Sequence, residues 1–125
     1  MGPPMSTGSA MLHAQSYQEL TQAVSAGLGT LRADAPAMMK GIADLGRAAM
    51  AEGVLDKKTK ELITVALSVA ARCEPCIGFH VQALVKLGAS RQELNEVLGV
   101  AVYMGGGPSL MYAASAVSAF EEYSR

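Results

Sequence analysis

Apolar residues recur along this chain at intervals of three and four, and no segment alternates at a period of two. From Tyr17 the pattern supports a short helix through Ala26, closed by Gly27 and Gly29. Asp34 and Pro36 suit a second start, since proline fits a first turn. Met39, Ile42, Leu45, Ala49 and Met50 follow at helical spacing until Gly53. Asp56 is placed to cap a third helix whose broad apolar face carries Leu62, Ile63, Val65, Ala66, Val69 and Ala70. That helix must end near Arg72 or Cys73, because the residue before Pro75 is pushed away from helical angles. Pro75 opens a fourth helix through Leu87, with Ile77, Val81, Leu84, Val85 and Leu87 apolar and Gly88 as its stop.

Ser90-Arg91-Gln92-Glu93 is a capping box, the clearest helix start in the chain. Leu94, Val97, Leu98, Ala101 and Val102 form the stripe that follows it, until Gly105-Gly106-Gly107 interrupts. Pro108 begins a last helix through Leu110, Met111, Ala114, Val117 and Phe120, with Glu121 and Glu122 marking a wet end. The expectation is an all-α, compact helical bundle of five to six helices. Residues 15–125 form its single domain, behind a Gly/Ser/Pro/Met-rich disordered leader over residues 1–14.

Composition sharpens this picture. Half of the 125 residues are hydrophobic, yet only 5% are aromatic and tryptophan is absent. An apolar set dominated by Ala, Gly and Met suits closely packed helices better than a β-sandwich. The eight methionines read as core or interface packing rather than as metal ligands. A net charge of -1, with no basic stripe, excludes a nucleic-acid-binding surface. No apolar run reaches spanning length, so no membrane helix is expected. The N-terminal residues lack the basic and apolar regions of a secretory signal, which makes a reducing cytoplasm the default compartment.

Candidate chemistry lies in Cys73-Glu74-Pro75-Cys76 followed by His80. These are the only two cysteines, two residues apart, with an imidazole one helical turn further on. Cys73 falls at the N-cap side of a helix, where free N–H groups and the dipole favour an anion and lower a thiol's pKa. Cys76 and His80, four residues apart, share one helix face. Three readings compete here. Both cysteines can be small buried hydrophobes. They can be zinc ligands with His80 and Glu61, although no second Cys-x-x-Cys supplies a closed set and His13 lies in the leader. Or they can form a redox dithiol. Glu61 is itself ambiguous: it sits four residues after Lys57, the spacing of a solvated ion pair, and also heads a semi-polar stripe with Thr64 and Ser68. The Gly105-Gly106-Gly107-Pro108 run lacks the lysine and preceding strand of a phosphate loop and reads as an interhelical turn.

Glu61, then Cys73-x-x-Cys76, then His80 resembles the redox-active branch of the alkylhydroperoxidase D-like, carboxymuconolactone decarboxylase superfamily. Gly53-Val54-Leu55-Asp56, Lys60-Glu61-Leu62-Ile63, Gly88-Ala89-Ser90 and Gly105-Gly106 agree with it, and the resemblance covers roughly residues 36 to 115. It implies an all-helical domain assembling into trimers or hexamers, and a thiol-dependent peroxidase of the peroxiredoxin type that needs no cofactor. Cys76 would attack the hydroperoxide, Cys73 would resolve the product, and Glu61 with His80 would form a proton relay. An external dithiol or protein reductant would reopen the disulfide. The best-known member has a histidine where this chain has Pro75, and the lactone decarboxylase branch generally lacks the dithiol. Two alternatives stand beside the peroxidase: a redox-responsive oligomeric module without turnover, and decarboxylase-like chemistry on a small acid.

Overall fold

In the computed structural model, residues 15–125 are described; the expected leader over residues 1–14, including His13, lies outside the described residues. Six helices and no strand occupy the described chain: α1 Tyr17–Asp34, α2 Pro36–Met50, α3 Lys57–Ala70, α4 Glu74–Lys86, α5 Arg91–Gly105 and α6 Gly107–Tyr123. Helices α3, α4, α5 and α6 pack into one bundle, and α1 lies against α4. None is long and apolar enough to cross a membrane.

The core forms where the apolar stripes of these helices meet. Val65, Val69, Ile77, Val81, Leu84 and Leu94 are fully buried, with Leu98 and Phe120 beside them. Truncating one of the larger of these to alanine typically costs about 2–5 kcal/mol. Alanine does comparable work on α6, where Ala113, Ala116 and Ala119 let the helix approach closely.

Helix starts follow the local chemistry. Asp56 accepts the Thr59 amide at 2.8 Å, and Ser90 and Glu93 form both bonds of the expected box. Lys58 reaches Glu93 at 2.9 Å and so joins the starts of α3 and α5. Lys60 Nζ donates to the carbonyls of Ala49 and Ala51, satisfying the C-terminus of α2 from the side of α3.

Three local expectations change. Helix α1 runs through Gly27 and Gly29 to Asp34, because Ser16 and Glu19 form a capping box that drives a longer helix than the glycines interrupt. Asp34 is therefore the last residue of α1 rather than a cap, and Ala35 precedes α2 without a side-chain bond. Glu122 is not a wet end. Its two carboxylate oxygens accept the amides of Tyr17 and Gln18 at 3.0 and 2.9 Å, holding an anion at the positive start of α1. The stripe on α2 also faces outward: Met38, Ile42 and Leu45 are 53%, 60% and 65% exposed, and α2 contributes no residue to the core.

Candidate active site

Helix α3 ends in a tight turn that delivers Cys73 to the start of α4. The Cys73 amide donates to Ser68 O and the Arg72 amide to Val69 O, a paired closure that needs left-handed backbone at Arg72 (φ 59°). Helix α4 ends with the same arrangement, but there Gly88 (φ 78°) occupies the left-handed position. A non-glycine residue held this way is strained, and the strain lies immediately before the dithiol.

Cys73 is the N-cap of α4. Its Sγ accepts the Cys76 amide at 3.3 Å, and the two sulfurs are joined in a disulfide with Cα atoms 5.2 Å apart. Pro75 fits the first turn as expected, and the helix begins one residue earlier, at Glu74.

Glu61 and His80 come together from neighbouring helices. Glu61 is only 7% exposed on α3, and its Oε1 lies 2.9 Å from His80 Nδ1 on α4. When Glu61 is ionised its carboxylate only accepts, so the proton of this bond sits on Nδ1, and in the neutral ring Nε2 then carries the free lone pair. The side chain of His80 is 35% exposed, which gives this imidazole access to solvent. Thr64 and Ser68 do not extend the pair: their hydroxyls bond back to Lys60 O and Thr64 O within α3. The i,i+4 partner considered for Glu61, Lys57, is replaced by this part-buried histidine contact. Among the described residues no three His, Cys, Asp or Glu side chains are grouped to hold a metal ion.

A second polar group escapes the sequence pattern. Glu74, between the cysteines, accepts hydrogen bonds from the Tyr17 hydroxyl on α1 and from Ser115 Oγ on α6, the latter at 3.3 Å. Burial, then the Glu74 bond, pushes the Tyr17 phenol well above its ordinary range. A cleft of about 330 Å³ opens here, lined by Gln15, Tyr17, Leu20, Glu74, Ser115 and Ser118. It touches the dithiol segment only through Glu74. Nothing local signals these contacts, since Tyr17 is 57 residues from Glu74.

An all-helical bundle with a cysteine pair at a helix start and, on the same helix, a histidine paired with a buried glutamate defines a recognisable class. The Carboxymuconolactone decarboxylase family pattern matches residues 36–119, and the chain belongs to that family. A carboxymuconolactone decarboxylase family protein of Legionella pneumophila, solved in its apo form, superposes with a TM-score of 0.86 at 56% identity, covering 87% of this chain and 97% of its own. A family member from Thermotoga maritima, for which a part in an antioxidative response has been suggested, gives 0.74 at 31% identity over 82% of this chain and 87% of its own. An uncharacterised protein of Cupriavidus necator is 40% identical over 93 residues, 74% of this chain and 82% of that protein.

Proposed function

We propose that this protein is a thiol-dependent peroxidase that reduces hydroperoxides through a Cys73/Cys76 dithiol–disulfide cycle. The observation that carries the reading is the 2.9 Å pair between Glu61 on α3 and His80 on α4, the helix that bears Cys76 one turn before His80 in sequence. Nε2 of His80, with the ring held through Nδ1 by the Glu61 carboxylate, takes the proton of the Cys76 thiol. The thiolate attacks one peroxide oxygen, the O–O bond breaks, and the departing alkoxide takes a proton to leave as an alcohol. Cys76 is left as a sulfenic acid. The Cys73 thiol condenses with it, releasing water and closing the disulfide. An external dithiol then returns two electrons and two protons. The suggested antioxidative part of the Thermotoga relative is consistent with this chemistry.

The single domain spans residues 15–125, acts in the reducing cytoplasm and needs no bound cofactor. It works as a homo-oligomer, a trimer or hexamer, through the exposed apolar side of α2. Met38, Ile42 and Leu45 form there an apolar face that the described chain does not cover. The same face supports a second reading, a module whose disulfide alters assembly without turnover. Particle mass of reduced and oxidised samples separates the two, and a redox-independent mass removes the second.

The test of the first reading is hydroperoxide consumption with a small dithiol as donor. Wild type turns over and Cys76→Ser does not; full activity in Cys76→Ser refutes the assignment.

A further inference from the structure

Reopening the disulfide requires one of its two sulfurs to leave as a thiolate, and the structure distinguishes them. Cys73 Sγ accepts the Cys76 amide at the start of α4, so negative charge on Cys73 meets a backbone N–H and the positive end of the helix. Better-stabilised thiolates leave faster in thiol–disulfide exchange. The donor's thiolate therefore attacks Cys76 Sγ. The S–S bond breaks with its electron pair on Cys73, and a mixed disulfide forms between Cys76 and the donor. The donor's second thiol then displaces Cys76, leaving the donor oxidised and both protein cysteines reduced.

Glu74 stands against this leaving group. It is the first residue of α4, directly bonded to Cys73, and its carboxylate competes for the same positive helix start. Its two oxygens are instead engaged by hydroxyls from two other helices, Tyr17 on α1 and Ser115 on α6. We propose that Glu74 is a positioning residue for the redox cycle, and that Tyr17 and Ser115 limit its opposition to the Cys73 thiolate by binding its charge on the side of α1 and α6. The proposal rests on the dithiol cycle proposed above and adds to it which sulfur leaves and what sets its readiness to do so.

Titratable groups on the elements packed against α4 include Glu61 from α3, paired with His80, and Glu122 and Tyr123 from α6. Lys57, Lys58 and Lys60 on α3, Glu19, Arg32 and Asp34 on α1, and Tyr112 and Glu121 on α6 make no hydrogen bond to Glu74. Glu122 is held on the amides of Tyr17 and Gln18, and the Tyr123 hydroxyl lies 3.5 Å from Thr21 Oγ1. The hydrogen bonds of Glu61, Glu122 and Tyr123 run to groups other than Glu74. Arg72, next in sequence to Cys73, is exposed.

The test uses the full chain carrying Cys76→Ser, so that Cys73 is the only thiol and its titration is read from iodoacetamide rate against pH. Glu74→Gln lowers the Cys73 midpoint, by on the order of half to one pH unit for loss of one charge at a partly solvated site. Tyr17→Phe raises it, and that rise disappears when Glu74 is already Gln. Ser115→Ala, which deletes one hydroxyl from the same carboxylate, also raises it and serves if Glu74→Gln does not fold. An unchanged or higher midpoint in Glu74→Gln overturns the proposal, as does a Tyr17→Phe shift of equal size in both backgrounds. Because this readout involves no peroxide, it is separate from the peroxidase assignment: wild type without turnover refutes that reading and leaves the Cys73 titration to be judged on its own.

Discussion

His80 Nδ1 and Glu61 Oε1, on two different helices, lie 2.9 Å apart with the carboxylate buried. In the proposed cycle this carboxylate would orient the ring while Nε2 takes a proton. Glu61→Gln preserves the shape and removes the charge. It should lower kcat/KM for hydroperoxide by about 10²-fold, the lower end for a general-base contribution. Steady-state peroxide consumption, with helicity checked by circular dichroism, measures this; activity within twofold of wild type contradicts the relay.

Arg72 occupies a left-handed position that α4 fills with Gly88 in the same kind of turn. Arg72→Gly removes a conformational penalty of about 1–2 kcal/mol and adds glycine's unfolded-state entropy of about 0.5–1 kcal/mol. The net expectation is a gain of roughly 0.5–1 kcal/mol, read by urea denaturation of the oxidised protein. A loss of stability would show that the Arg72 side chain contributes more than its backbone costs.

Two glycine-to-alanine changes should move stability in opposite directions. A Cβ on Gly78 would sit 2.7 Å from Thr21 Cγ2 and 3.1 Å from Tyr17 Cδ1, both on buried residues where α1 crosses α4. Gly78→Ala should cost about 1–3 kcal/mol as overpacking and loosen α1, visible as faster amide exchange there. Around Gly27, in the exposed part of α1, nothing lies within 4 Å of such an atom. Gly27→Ala should stabilise by up to about 1 kcal/mol through helix propensity. Denaturation midpoints of the two variants give the comparison directly.

The pH dependence of stability has two limbs. Hydrogen bonds from Thr59 hold Asp56 below the ordinary carboxylate range, and the Ser90 amide and Lys58 do the same for Glu93. Their contributions are whole above the unfolded carboxylate values of about 4 and fade as pH falls toward the lower folded ones. Asp56→Asn should flatten this acid limb. The Tyr17 phenol is shifted upward, so its contribution is whole below the unfolded value of about 10 and is lost as pH climbs toward the folded one. Tyr17→Phe should make the alkaline limb of the oxidised protein shallower. Urea unfolding across both ranges checks the two slopes.

The parts of the fold set by local chemistry were readable in advance. Asp56, Pro75 and the Ser90 box mark helix starts because a single side chain or ring decides each. Gly27 and Gly29 misled because an isolated glycine only weakens a helix, and the Ser16–Glu19 box at its start outweighs that. The stripe on α2 is amphipathic whether its cover is the same chain or another, so spacing could not show that it faces outward. Of the candidate site, the dithiol and the shared face of Cys76 and His80 follow from intervals of three and four. Glu61 became prominent through a family resemblance, since its bond to His80 crosses between helices. Tyr17, Ser115 and Glu122 were invisible as partners because their contacts depend on how α1 and α6 pack.

The most direct test of the peroxidase assignment uses reduced Cys73→Ser protein, one equivalent of an alkyl hydroperoxide, and a sulfenic-acid trap, followed by mass spectrometry. The expected result is one trapped adduct at Cys76 for each alcohol released, with the yield collapsing in Cys76→Ser. Unconsumed hydroperoxide and an unmodified Cys76 would contradict it.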